Sequence, residues 1–230
     1  MIKKTLILIN SILLIIIILF TPLACHVCNL NYYSTLYEDN GVFSILNKSD
    51  VLDITKEIFK FFTGRTTNLQ AIEVRYSDES ISKTASFRPD EISHLNDVRK
   101  LLVKIFILYC VSIILSIVLV FFLIEKNIKR FLRSLGIIFT ASSVTVFIIF
   151  IAFYFLSRNF GFLFEKFHLV FFPQGNYTFA ESSLIITLFP SGFFYNFFIK
   201  LIVCSSLLSI VLLVLGIIGI NLPKIKKNSN

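Results

Sequence analysis

LLVKIFILYCVSIILSIVLVFFLI, residues 101–124, carries a single charged side chain, Lys104, close to its start. A helix through it rises about 1.5 Å per residue and crosses a hydrocarbon core of roughly 30 Å. Residues 6–24, 135–156 and 201–220 form three further runs long and apolar enough to do the same. The composition agrees, since 56% of the 230 residues are hydrophobic and only 16% are charged, outside the range of a soluble globular chain. The expected fold is an all-α integral membrane protein, with four transmembrane helices in one bundle, a small external α/β cap and an aromatic interfacial loop.

Basic residues set the orientation. Lys3 and Lys4 precede the first run, Lys126, Lys129, Arg130 and Arg133 fill the short connection after the second, and Lys224, Lys226 and Lys227 follow the fourth. The positive-inside rule makes all three segments cytoplasmic. The chain then divides into a first span (1–24), an external cap (25–100), a second span (101–124) and a cytoplasmic loop (125–134). A third span (135–156), an external interfacial loop (157–199), a fourth span (200–221) and a cytoplasmic tail (222–230) complete it. The net charge of +8 is mainly this topology signal, with weak attraction to anionic lipid, and it does not describe a nucleic-acid surface. The first run with Pro22-Leu23-Ala24-Cys25 has some features of a cleaved lipoprotein signal. Its length and the Pro-Leu pair fit that poorly, so it reads as a retained anchor.

Cys25 and Cys28 form a C-x-x-C without the thioredoxin-like surroundings of a redox dithiol, leaving local pairing or two free thiols as readings. His26 between them leaves a metal site one ligand short. Residues 49–64 have the spacing of an amphipathic helix, with Ser49 or Asp50 as N-cap, Val51, Ile54, Ile58, Phe61 and Phe62 on one stripe, and Gly64 at the end. Alternation over 71–76 and an extended stretch over 81–87, separated by Ser77-Asp78-Glu79-Ser80, predict a hairpin. This cap is expected to be too small for a core of its own.

Arg88-Pro89-Asp90-Glu91 opens a helix, with proline suited to the first helical position and two acids near the positive end of the dipole. No breaker follows before Ile124, so this helix runs directly into the second span. His94 sits about two turns in, and Asp97, three residues on, is expected within reach of its imidazole. The second external segment is crowded with phenylalanine from Phe160 to Phe198 and interrupted by Pro173, Gly175, Pro190 and Gly192. It reads as an interfacial stretch, partly helical and broken at the prolines. An aromatic belt explains the phenylalanines but leaves His168 without a role. Topology places His94 and His168 on one side of the membrane, where helix packing lets them converge. No nucleophile elbow, H-E-x-x-H or phosphate loop is present.

His94-Leu95-Asn96-Asp97-Val98-Arg99 entering the second span, His168 with Phe171-Phe172-Pro173, and then Leu184-Ile185, Leu188-Phe189-Pro190 and Phe193-Phe194, occupy their places in a four-span chain. In these features the chain resembles the bacterial lipoprotein intramolecular transacylase family over residues 1–225. It departs at Tyr177, where the family often has tryptophan, and at Arg88, where a Ser or Thr cap is usual. The resemblance implies a multi-pass protein of the bacterial cytoplasmic membrane with its site on the external side. It further implies transfer of the sn-2 acyl chain of a diacylglyceryl lipoprotein to the α-amine of its own N-terminal cysteine, without a cofactor or metal. Its partners are that lipoprotein and membrane lipid. The acyl chains need an apolar cleft open to lipid, which Phe171, Phe172 and Tyr177 would line.

The environments suggest roles. His168, flanked by Phe167 and Phe171, is expected to be neutral and to act as base, while His94, helped toward imidazolium by Asp97, would donate to the oxyanion. Arg99 or Glu165 would orient the pair. Competing readings are a metal-dependent membrane hydrolase, with His94, His168 and Asp97 or Glu165 as ligands, and a non-enzymatic four-span scaffold. A claudin-like layout lacks its tryptophan and widely spaced cysteines here, and a transporter would need more polar groups within the spans.

Overall fold

The computed structural model describes residues 2–67, 69, 72–78, 84–157 and 159–225. Its elements, in order, are α1 (Ile2–His26), α2 (Leu30–Asp39), α3 (Val42–Ile45), α4 (Lys48–Phe62), β1 (Glu73–Arg75) and β2 (Thr84–Ser86). α5 (Pro89–Leu123), α6 (Ile128–Ser157), α7 (Phe160–Phe171), α8 (Leu184–Leu188) and α9 (Ser191–Ile225) follow. Of these, α1, α5, α6 and α9 are long and apolar enough to cross a membrane. The chain forms two compact units, residues 1–24 with 105–158 and 200–230, and residues 25–104 with 159–199.

The first unit contains the apolar parts of the four long helices, with no charged residue in α5 beyond Lys104. Because lipid tails are as apolar as leucine, helices there associate through close packing and hydrogen bonds rather than the hydrophobic effect. Asn10 and Ser116 exchange two such bonds: Asn10 Nδ2 donates to the Ser116 carbonyl (3.0 Å), and Ser116 Oγ donates to Asn10 Oδ1 (2.9 Å). Ser142 Oγ lies 3.0 Å from the Ser11 carbonyl, and Ser205 Oγ donates to the Ile18 carbonyl at 3.1 Å. Between α6 and α9 the backbones themselves meet. A Cβ on Gly136 would lie 2.7 Å from the Gly216 carbonyl, and one on Gly216 would lie 2.5 Å from Thr140 Oγ1 and 2.9 Å from Thr140 N. Gly216→Val is therefore expected to lower thermal stability in detergent by about 1–3 kcal/mol, the usual cost of forcing atoms into a packed contact. Unchanged melting would show that the two helices separate without cost.

The second unit has a hydrophobic core that the cap of residues 25–100 does not form alone. Tyr33, Leu36 and Tyr37 of α2, Val51, Ile54, Ile58 and Phe61 of α4, and Leu95 of α5 meet Leu184, Ile185 and Leu188 of α8 and Phe193 of α9. The expectation counted only residues 25–100, whereas the aromatic segment supplies part of the same core. Tyr37 keeps its polar end satisfied by donating to Thr55 Oγ1 (2.9 Å), whose own proton goes to the Val51 carbonyl (2.6 Å).

The amphipathic helix is present as α4, with the stripe Val51, Ile54, Ile58 and Phe61 buried and Gly64 at positive φ just beyond it. Its N-cap is Asn47 rather than Ser49 or Asp50, because Asn47 Oδ1 accepts the Ser49 and Asp50 amides. The Asp50 carboxylate instead grips Arg75, accepting Nε at 2.8 Å, Nη2 at 2.7 Å and the backbone amide at 3.0 Å. Hydrogen bonds from Arg75 hold its carboxyl down to about 2. The hairpin is present, β1 pairing antiparallel with β2 through Glu73↔Ser86, Val74↔Ala85 and Arg75↔Thr84. The expected strand residues at 71 and 81–83, the turn residues Glu79 and Ser80, and the tail lysines Lys226 and Lys227 lie outside the described residues.

Candidate active site

The site is organised by three residues spaced three apart on the first turns of α5: Glu91, His94 and Asp97. Pro89 is the first residue of the helix and Arg88 precedes it, so Glu91 stands at the third helical position. There its side chain accepts the Arg88 amide through Oε2 at 2.6 Å, which is one half of a capping box. The other half is missing because arginine has no side-chain oxygen. Glu91 is fully buried, and its second oxygen accepts the Ile185 amide at 3.0 Å. That amide belongs to the first turn of α8, whose N-cap Ser183 spends its hydroxyl on the Ala180 carbonyl. One carboxyl thus closes the N-termini of two helices.

Asp97 holds the same connection nearer its start. Its Oδ2 accepts Gln174 Nε2 at 2.9 Å and Asn176 Nδ2 at 2.8 Å, and Oδ1 accepts Lys100 Nζ at 2.9 Å. The connection from α7 to α8, residues 172–183, is therefore fastened to α5 on both sides of His94.

His168 lies in the last turn of α7 rather than in a loop. Asn159 caps that helix by accepting the Phe162 amide (3.1 Å), and Pro173 stands just past its end, where proline disfavours helix in the residue before it. The two imidazoles face each other, with ring centroids 5.9 Å apart and planes inclined by 21°. They are 7% and 8% exposed, so neither keeps a hydration shell. Phe172 (4.9 Å) and Phe179 (5.6 Å) enclose His94. Phe164 (4.3 Å) and Tyr177 (4.9 Å) enclose His168. His168 Nδ1 is 2.7 Å from the Phe164 carbonyl, which only an N–H can approach so closely. Its neutral form therefore has the lone pair on Nε2.

Burial lowers the proton affinity of both rings. His94 is pulled down to about 4 by desolvation and by the charge of a protonated His168, which Asp97 and Asn176 offset only in part. His168 is lowered by desolvation, with its bond to the Phe164 carbonyl in opposition. Both are neutral near pH 7. This corrects the expected imidazolium at His94: burial outweighs the pull of Asp97, whose oxygens accept Lys100, Gln174 and Asn176.

The other expected residues are distributed unevenly. Phe172 is buried against His94, Tyr177 is half-buried beside His168, and Phe171 is 48% exposed on α7. Arg99 sits over the Phe61 ring, 5.3 Å from its centroid, and Glu165 is exposed on α7; neither hydrogen-bonds either histidine among the described residues. Glu91, Gln174 and Asn176 were not expected here. Only Glu91 left a sequence signal, its place three residues after a helix cap. Among the described residues no group of three His, Cys, Asp or Glu side chains is placed to hold a metal, and Cys25 and Cys28 are free thiols.

Four membrane-length helices and a buried pair of facing histidines define a multi-pass membrane protein with a candidate site at that pair. The chain belongs to the family described as lipoprotein intramolecular transacylase Lit, whose model matches residues 8–194. Membership makes it an intramolecular transacylase, an acyltransferase. Two solved structures share its fold. The membrane integral lipoprotein intramolecular transacylase Lit from Bacillus cereus is 17% identical with a TM-score of 0.80, covering 97% of this chain and 98% of that one. A variant of that protein with one histidine replaced by arginine is 16% identical with a TM-score of 0.73, covering 100% of this chain and 95% of the other. No protein with curated annotation matches the chain.

Proposed function

We propose that the chain moves the sn-2 acyl group of a diacylglyceryl lipoprotein onto the α-amine of the same molecule's N-terminal cysteine, leaving a lyso-form lipoprotein. The reaction takes place at the external face of the bacterial cytoplasmic membrane, with both termini of the chain cytoplasmic. The supporting observation is His168, a neutral imidazole with its Nδ1 proton committed to the Phe164 carbonyl and its Nε2 lone pair available.

An α-amine with a pKa near 8 is mostly ammonium at neutral pH and must first lose a proton to solvent. The free amine then attacks the ester carbonyl. As the C–N bond forms, the nitrogen gives a proton to His168 Nε2. When the tetrahedral intermediate collapses, the C–O bond breaks and His168 returns that proton to the departing glyceryl oxygen. One imidazole serves as base and then as acid, and the site recovers its starting state. Amine and ester belong to one molecule, so positioning contributes much of the acceleration. Phe171 and Tyr177 supply apolar surface for the acyl chains, while Phe172 is buried against His94.

Because the transfer is internal, the product has the same mass as the substrate. Co-expression with a reporter lipoprotein, in cells lacking other N-acyltransferases, is expected to give an N-terminal peptide of unchanged mass. Its fragment ions place one acyl group on nitrogen and leave a free glyceryl hydroxyl. A reporter that keeps its free amine and both ester-linked chains would refute the proposal.

A further inference from the structure

Two buried polar atoms at the site have no hydrogen-bond partner among the described residues, and they belong to adjacent side chains: His94 Nδ1 and Asn176 Oδ1. They are complementary, since a ring nitrogen bearing its proton donates and a carboxamide oxygen only accepts. The orientation of the carboxamide is not free. Its Nδ2 donates to Asp97 Oδ2 at 2.8 Å, and rotating it by half a turn would set oxygen against a carboxylate. Asp97 is itself steadied by Gln174 and Lys100. The Asn176 oxygen is therefore the atom left for His94, and a bare Nδ1 facing it would place two acceptors together in a water-poor site.

We propose that Asn176 is a positioning residue that holds the proton of neutral His94 on Nδ1 and so makes Nε2 an acceptor for the substrate's amine. The inference rests on the transacylase reading for the identity of the amine, but not for the tautomer. It changes the role of His94 from oxyanion donor to orienter. The attacking amine has two hydrogens; one donates to His94 Nε2 and the other to His168 Nε2, which directs the nitrogen lone pair at the ester carbonyl. Only the proton facing His168 moves, and His94 keeps its single proton throughout.

The test is nitrogen NMR of the full-length protein in detergent at neutral pH with ¹⁵N-labelled histidine, the signals assigned from His94→Gln and His168→Gln. The wild-type His94 is expected to show a protonated Nδ1 and a bare Nε2. In Asn176→Ala these signals should average toward a mixture of tautomers, and the reporter rate should fall about 10- to 100-fold with little change in KM. A proton on Nε2 in the wild type overturns the proposal, as does a His94 spectrum unchanged in Asn176→Ala. If the reporter is not converted by the wild type, the transacylase reading falls while the NMR result still decides the role of Asn176.

Discussion

His168→Gln is expected to reduce acyl transfer about 10²- to 10⁴-fold, the span that a positioned general base contributes, without unfolding the protein. Glutamine preserves most of the volume between Phe164 and Tyr177 and can still donate toward the Phe164 carbonyl, but it cannot accept a proton near neutral pH. The accompanying pH profile reports the charge state of the ring. Burial lowers the proton affinity of His168 from its ordinary value near 6.5, so the ring stays neutral as pH falls through that value. The substrate amine, with its pKa near 8, then governs the neutral range. The wild-type rate should climb about tenfold per unit below pH 8 and level off above it, with no break near 6.5. His168→Gln should show the same shape at a lower plateau. A wild-type rate in the variant would remove His168 from the proton path, and a second wild-type break near 6.5, beside the one near 8, would contradict its lowered proton affinity.

The same lowered affinities have a cost in acid. A histidine whose proton affinity is lower folded than unfolded favours the unfolded chain once the latter binds the proton. For His94 that window opens near the unfolded value of 6.5 and extends down to the folded value of about 4. The unit containing residues 25–104 and 159–199 should therefore lose stability progressively as pH falls through this range, and His94→Gln should flatten the slope.

The four spans were legible because apolar runs such as 101–124 contain no breaker, and nothing in tertiary structure competes with twenty apolar residues in lipid. The pairing of His94 with His168 was legible from topology, since two residues at the same side of a helical bundle have few places to go. The core of the second unit was not. α2 presents Tyr33, Leu36 and Tyr37 among polar neighbours, and α8, at five residues, is too short to show a helical period. The charge state of His94 was misread for a different reason. Asp97 lies three residues from it and does favour the charged ring, but burial against Phe172 and Phe179 outweighs that pull. Contacts between residues almost eighty positions apart leave no local trace.

Glu91→Ala should be the most damaging substitution outside the histidine pair. It removes the acceptor of two amides in one step, Arg88 at the start of α5 and Ile185 in the first turn of α8. A buried amide left without a partner costs about 1–3 kcal/mol, and the missing carboxyl leaves a cavity besides. A loss of roughly 3–5 kcal/mol is comparable with breaking a buried polar network elsewhere. Glu91→Gln separates hydrogen bonding from volume. Glutamine fills the space and can serve one amide through its oxygen, but its NH₂ group then faces the other amide donor. Stability should rank Glu91 above Gln and Gln above Ala, read from thermal unfolding in detergent. Activity should fall faster than stability, because α8 anchors the end of the connection that carries Asn176, Tyr177 and Phe179 to the histidines. Protein that is folded at the assay temperature yet slowed in transfer is the expected behaviour of Glu91→Gln. If both variants melted and turned over like the wild type, the carboxyl would not be what fastens α8 to α5.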